Sequence, residues 1–194
     1  MSGRGYTRGP AFQRCFFVDT THCINCKTCE IACKDINGAA VGQRPRRVRT
    51  FEGGEYPDVL VAHLSMSCNH CEQPQCLAAC PVGAYRKRPE DGIVIHDPSR
   101  CIGCKYCTWA CPYAAPQFDP GSGKVMKCNL CYSVTEAEGG PACVQACPVR
   151  AIEVGTLSLF AERPGSTITI RNLPSPARSK PSTRFRVKRL MRLK

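Results

Sequence analysis

The run CIGCKYCTWACP, residues 101–112, decides how this chain is read. Its cysteines fall at x2, x2 and x3 intervals and a proline follows the last. In that spacing a short loop wraps three corners of a cubane iron–sulfur cluster, and the fourth cysteine reaches a second cluster. The last interval makes Cys107 and Cys111 an i, i+4 pair, which suits the first turn of a helix. Pro112, with its fixed φ, then turns the chain away from the ligand.

Three more groups repeat the pattern with small changes. They are Cys23, Cys26, Cys29 and Cys33; Cys68, Cys71, Cys76 and Cys80; and Cys128, Cys131, Cys143 and Cys147. All end in an x3 interval, and proline follows Cys80 and Cys147, while Lys34 follows Cys33. Short alternating runs lead into two of the groups, CFFVDTTHC and GIVIHDPSRC, and similar runs leave two others, CPVGAYRKR and CPVRAIEVG. These read as strands flanking ligand loops, so the fold class expected is α+β. Zinc accepts the same thiolates in C-x2-C pairs, but it has no use for a third cysteine at x2 followed by a fourth at x3. Four such groups favour four [4Fe–4S] clusters over zinc.

Composition supports metal over disulfides. Seventeen cysteines in 194 residues is a density typical of disulfide scaffolds or metal proteins. The cysteines are odd in number and tightly bunched, and the start, MSGRGYTRGPAFQR, has no apolar core of an export signal. No stretch approaches the roughly 18–20 apolar residues that cross a bilayer, so membrane attachment is expected only through a partner.

The formal net charge of +12 counts every cysteine as neutral. Four oxidised clusters with their thiolates would contribute about −8, leaving about +4. Residues 162–194 hold ten Lys or Arg against the single acid Glu162. The expectation is therefore an acidic, cluster-laden body with a basic arm.

The motifs CIGCKYCTWACPYAAPQF, KCNLCYSV with PACVQACPVRAIE, SCNHCEQPQCLAACPVGA and HCINCKTCEIACK together resemble the iron–sulfur subunit of dimethyl sulfoxide reductase. More broadly they are similar to the four-cluster subunits of molybdopterin oxidoreductases. The resemblance runs from about Phe16 to Phe160 and is weaker in the tail. It implies that the first group pairs with the fourth and the second with the third, as two ferredoxin-like two-cluster domains, one inserted in the other. One cluster would take Cys23, Cys26, Cys29 and Cys147, and its neighbour Cys128, Cys131, Cys143 and Cys33. The inserted domain would use Cys68, Cys71, Cys76 and Cys111 for a third cluster, and Cys101, Cys104, Cys107 and Cys80 for a fourth. Related nitrate reductase subunits carry tryptophan at the position of Cys104 and hold a three-iron cluster there; with Cys104 present, four cubanes are expected.

The implied boundaries are residues 12–37 plus 126–160 for the first domain, 38–66 for a linker or insertion, 67–125 for the second domain and 161–194 for an extended basic tail. The resemblance further implies an electron-transfer subunit without its own catalytic site. Its partners would be a molybdopterin-containing catalytic subunit, near the cluster of Cys23, and an integral membrane anchor that oxidises quinol, near the cluster of Cys101. A stand-alone polyferredoxin or a zinc-dependent nucleic-acid module are the alternatives. The second is disfavoured because Phe160 and Phe185 are the only aromatic residues after Tyr132.

Residues around the groups invite narrower readings. Cys15 lies outside every group in an apolar run and reads as a buried structural thiol. His22 and His70 flank ligands, but no cysteine is missing for them to replace, so hydrogen bonding or exposure is expected; His63 and His96 carry no signal. Trp109, Tyr106 and Tyr113 surround the third group and either exclude water or simply pack. Lys27 and Lys105, inside ligand loops, either tune potentials or are solvated. The segment Gly38 to Glu55, with Arg44, Arg46, Arg47 and Arg49, reads as a surface link. Residues 161–194 are too poor in apolar side chains for a core of their own, and removing residues 162–194 is expected to weaken complex assembly without changing iron content.

Overall fold

The computed structural model describes residues 12–133 and 140–192. The first strand, β1 (Arg14–Asp19), carries the run RCFFVD, and all but its first residue are buried. It sits at the centre of a three-stranded sheet. On one side it pairs antiparallel with β8 (Ile152–Thr156), with Phe16 opposite Val154. On the other it pairs parallel with β9 (Arg184–Arg186), with Val18 opposite Phe185.

Between β1 and β8 the chain makes only short elements, in keeping with loops that must bend around ligands. Helix α1 (Thr28–Ile36) carries Cys29 and Cys33. The strands β2 (Arg47–Gly53) and β3 (Leu60–Met66) form a hairpin. Helix α2 (Gln75–Ala78) carries Cys76 and leads to β4 (Tyr85–Lys87), which pairs with β5 (Val94–His96). Helix α3 (Tyr106–Ala110) carries Cys107. A second small hairpin joins β6 (Gln117–Asp119) to β7 (Lys124–Met126). Helix α4 (Ala142–Gln145) carries Cys143, and α5 (Leu157–Ala161) follows β8.

The packing is mirrored. Helix α1 lies against α4, and α2 against α3. The strand leading into the first cysteine group pairs with the strand leaving the fourth, and the strand leaving the second pairs with the one leading into the third. The architecture is thus mixed α/β, built from short helices and strands around cysteines.

The main core gathers Phe16, Val18, Ala62, Leu64, Ile93, Leu130, Ile152, Phe185 and Met191 with the buried cysteines. A second apolar cluster holds Ala84, Tyr85, Val94 and Val125 with Cys76, Cys80, Cys101 and Cys107. Cys15 is buried apart from both, with Phe17 and Phe160, whose rings lie 5.4 Å apart.

Two stretches differ from the surface segments expected of them. Most of the 38–66 region is hairpin: Ala62 and Leu64 are buried in the main core, with Val48 and Phe51 packed on it. Arg46, just ahead of β2, is only 1% exposed. Within residues 161–194, β9 is a sheet strand, Phe185 and Met191 are buried in the same core, and Arg186 reaches Asp19 at 3.1 Å. The tail has no core of its own; it completes that of the body, because its few apolar residues are set where β1 and the hairpin leave a gap. Removing it therefore exposes the core, and the expectation that iron content would survive truncation is withdrawn. Among the described residues no helix is long and apolar enough to cross a membrane.

Candidate metal centres

The ligand loops are shaped by left-handed backbone. In the first group Asn25 and Lys27 have φ of 62° and 59°; in the third, Gly103 and Lys105 have 72° and 64°. Both pairs bracket the middle cysteine, so the two loops curl alike. Glycine is required at 103, where a Cβ would fall 2.4 Å from the Gly123 carbonyl oxygen. Holding asparagine and lysine in this region costs about 1 kcal/mol each, which the bound group must offset.

These bends bring backbone donors to sulfur. The amides of Ala84 and Ala151 donate to the Sγ atoms of Cys80 and Cys147, both at 3.3 Å and both from four residues downstream. Leu130 N donates to Cys128 Sγ at 3.3 Å. Ser65 Oγ lies 3.4 Å from Cys29 Sγ, and Thr28 Oγ1 donates to Cys26 Sγ at 3.4 Å. Donors of this kind stabilise thiolate over thiol.

The cysteines then meet in sets. A cavity of about 340 Å³, including its mouth, is lined by Cys23, Cys26, Cys29 and Cys147, with Val18, Val48, Val149 and Ile152 as its apolar wall. A second, of about 370 Å³, is lined by Cys68, Cys71, Cys76 and Cys111, with Val94, Tyr113 and Ala115. The Cys33 thiol faces Cys128, Cys143 and Cys131. Cys107 faces Cys101 and Cys104, and Cys80 shares their apolar cluster.

Burial acts against charge at nine of these cysteines. It pushes the Cys71 thiol up to about 12 and that of Cys143 up to about 11, and it raises Cys23, Cys29, Cys33, Cys68, Cys76, Cys107 and Cys131. Cys26, at the surface, is lowered instead by the Thr28 hydroxyl. Without metal, the thiols so raised stay protonated at neutral pH, and iron must displace those protons to bind.

Whether an iron–sulfur cluster fits is answered by the donors left over. Among the described residues the sets surround cavities, and no three His, Cys, Asp or Glu side chains converge as a single ion requires. Among the described residues, buried nitrogens beside the cysteines lack a hydrogen-bond partner: Arg46 Nε, Asn69 Nδ2 and His70 Nε2. His70 Nδ1 accepts from Val94 N at 3.1 Å, which assigns the proton to Nε2 and makes it an unused donor. The Tyr85 hydroxyl faces Cys107. A polynuclear cluster with bridging sulfides accepts hydrogen bonds from such groups, so the residues fit it.

The residues singled out around the groups divide. Lys27 lines the mouth of the first cavity with its side chain exposed, and Lys105 is exposed with its ammonium 4.0 Å from the Phe118 ring centroid. Trp109 is 74% exposed and does not shield a cluster site. Tyr113 is half-buried and its hydroxyl accepts from Ser179 Oγ at 3.4 Å. His22 is exposed beside Asp19, whereas His70 is fully buried. The buried cations near the cysteines, Arg46 and Lys127, were not singled out, since one stands in a basic run and the other beside a ligand, with no pattern to mark either.

Cysteine loops of this shape, gathered in fours in a small mixed α/β chain, define the class of polynuclear iron–sulfur proteins. Residues 59–157 match the family of 4Fe-4S dicluster domains. The chain is 41% identical to YnfG of Escherichia coli (strain K12), a probable anaerobic dimethyl sulfoxide reductase chain, over 86% of this chain and 85% of that one. It is 40% identical, with the same coverage, to a second anaerobic dimethyl sulfoxide reductase chain of that strain. A sulfite dehydrogenase subunit of Allochromatium vinosum is 39% identical over 72% of this chain and 67% of its own. The chain belongs to the family of [4Fe–4S] electron-transfer subunits of the dimethyl sulfoxide reductase type.

Proposed function

We propose that this chain relays single electrons through four [4Fe–4S] clusters, from a membrane anchor subunit that oxidises quinol to a molybdopterin-containing catalytic subunit. The first site is Cys23, Cys26, Cys29 and Cys147; the second is Cys33, Cys128, Cys131 and Cys143. The third is Cys68, Cys71, Cys76 and Cys111; the fourth is Cys80, Cys101, Cys104 and Cys107. The observation that carries this reading is the pair of cavities whose linings each combine three cysteines of one group with the last cysteine of another. That mixing is what two ferredoxin-like units require, residues 12–37 with 126–160 around an inserted 67–125, and the mirrored helix packing supports the same division. Residues 134–139 lie outside the described residues.

When bound, each cluster accepts one electron and gives it back. The chain's own side chains hold the order. Cys68 faces Cys128, so the second site adjoins the third. Tyr85 faces both Cys107 and Cys76, so it spans the third and the fourth. Val18, Val48 and Ile152 at one end and Val94 and Val125 at the other keep water from the thiolates. Exposed Ile102, Tyr106 and Trp109 beside the fourth site offer apolar surface to the anchor, and that end of the row is its dock.

Iron and acid-labile sulfide assays on the anaerobically purified complex test this reading. About sixteen of each per chain, with a molybdenum protein co-purifying, is the expected result. A colourless chain containing zinc, or an iron-loaded chain that purifies without partners, would overturn it.

A further inference from the structure

Arg46 is 1% exposed, yet among the described residues no carboxylate lies within ion-pair distance of it. Its Nη1 and Nη2 donate to Ser65 and Ser67 hydroxyls, each at 3.0 Å, and its guanidinium carbon lies 4.4 Å from the Phe16 ring centroid. Its charge faces Cys143, Cys128, Cys29 and Cys33. Cys29 belongs to the first proposed site and the other three to the second. Arg46 therefore stands on the seam between two sites, and its Nε has no hydrogen-bond partner among the described residues.

Lys127 repeats the arrangement one site along. It is buried, and its Nζ donates to the carbonyl oxygens of Val94 and of Cys128, the latter at 2.8 Å. It faces Cys68 and Cys76 and lines the cavity of the third site, while its neighbour in sequence, Cys128, belongs to the second. Among the described residues it too has no carboxylate partner.

We propose that Arg46 and Lys127 are the positioning charges of the relay: Arg46 raises the reduction potentials of the clusters on the first and second sites, and Lys127 those on the second and third. The inference rests on the ligand sets proposed above. An oxidised cubane with four thiolates carries about −2, and each electron adds one negative charge next to an already charged neighbour. A cation shared by two adjacent sites stabilises the reduced form of both and weakens the repulsion between them. Arginine suits the tighter seam, since its planar fork stays charged when buried and reaches two hydroxyls at once. In each reduction one electron enters a cluster core, taking it from 2+ to 1+, and the side chain neither gains nor loses a proton.

The test is a redox titration of the intact complex followed by EPR, with iron counted in each sample. Arg46→Gln is expected to lower two cluster potentials, each by about a tenfold change in the reduction equilibrium, or about 59 mV for one electron. Lys127→Gln is expected to lower two, with one cluster responding to both variants and one to neither. Arg46→Lys keeps the charge and is expected to stay within about threefold of wild type. Full iron with unmoved potentials, or a uniform shift of all four clusters, overturns the inference. Loss of iron in Arg46→Gln that Arg46→Lys does not repair assigns the residue a purely structural role and also overturns it. A wild-type complex with fewer than about sixteen irons per chain instead brings down the four-site reading itself.

Discussion

Ser182 Oγ donates a 2.9 Å hydrogen bond to the backbone carbonyl of His70, fastening the C-terminal arm to the loop of the second cysteine group. The attachment continues through Glu72 N to Lys180 O at 2.9 Å, Gln73 N to Ser179 O at 3.1 Å and Ser182 N to Asn69 O at 3.1 Å. The Ser179 hydroxyl also reaches the Cys71 thiol. The arm is thus part of the wall of the third site. It holds the loop that carries Cys68, Cys71 and Cys76, three of the four cysteines proposed for that site.

Ending the chain after Pro174 should accordingly abolish iron incorporation, because β9 is lost and Phe185 and Met191 leave the core. Phe185→Ala alone should cost about 3–5 kcal/mol through its cavity. Ser182→Ala should cost about 1–2 kcal/mol through the unsatisfied His70 carbonyl. Thermal unfolding under anaerobic conditions gives the ranking. A truncated chain that retained all its iron would contradict the role assigned to the arm.

Cys15 is the one cysteine of seventeen that lies outside the four proposed ligand sets. It is buried with Phe17 and Phe160, away from the cysteine sets, and burial pushes its thiol up to about 12. Cys15→Ala should leave iron and sulfide unchanged and cost about 1 kcal/mol or somewhat more in stability. In the folded wild type this thiol should resist alkylation at pH 8 and react only on unfolding. Loss of one cluster's iron in the alanine variant would make Cys15 a ligand or a support for one.

The cysteine groups were legible in the sequence because each is a largely local device: close cysteine spacing ending in an x3 interval, with a following proline in three of the four. Arg46 was not, since its burial is made by Ser65, Ser67 and Phe16 together with thiols from both ends of the chain, and a run of four arginines looks like solvated surface. For Lys27 and Lys105 the sequence left tuning and solvation open, because position beside a ligand does not say where a side chain ends; both are exposed, and Lys27 stands at the mouth of the first cavity. The arm escaped reading because a three-residue strand such as β9 carries no periodicity, and its partner β1 lies more than 160 residues earlier.

Cys104 separates the fourth site from the rest. It lies between Cys101 and Cys107 on a loop whose other supports, Gly103 and Lys105, are backbone features and survive its replacement. Cys104→Ser should lower iron by one to four of about sixteen atoms, with an oxidised three-iron EPR signal if a single corner is lost. Quinol-linked turnover should fall sharply while activity with an artificial dye at the catalytic subunit persists. Equal loss of both would remove the fourth site from the quinol end of the row.

His96 gives the chain a pH dependence that can be read apart from its clusters. Its ring centroid lies 4.7 Å from that of Tyr85, and Nε2 has no partner among the described residues. Burial, and then the positive charge of Lys127, lowers its pKa to about 4. An unfolded histidine titrates near 6.5, so between those values the unfolded chain binds a proton that the folded chain refuses. The contribution of neutral His96 is therefore complete above about pH 6.5 and is lost as pH falls toward 4. Between pH 8 and pH 5 the loss is about 1 kcal/mol, half the full linkage value, because solvent reaches part of the ring and screens it. His96→Gln keeps a polar side chain of similar reach and removes the titration. Acid lability of the clusters is common to both proteins, so the measurement is the difference between their anaerobic unfolding free energies at pH 8, 6.5 and 5. That difference should shrink or reverse as the pH falls, and parallel curves would show that His96 titrates alike in the folded and unfolded chain.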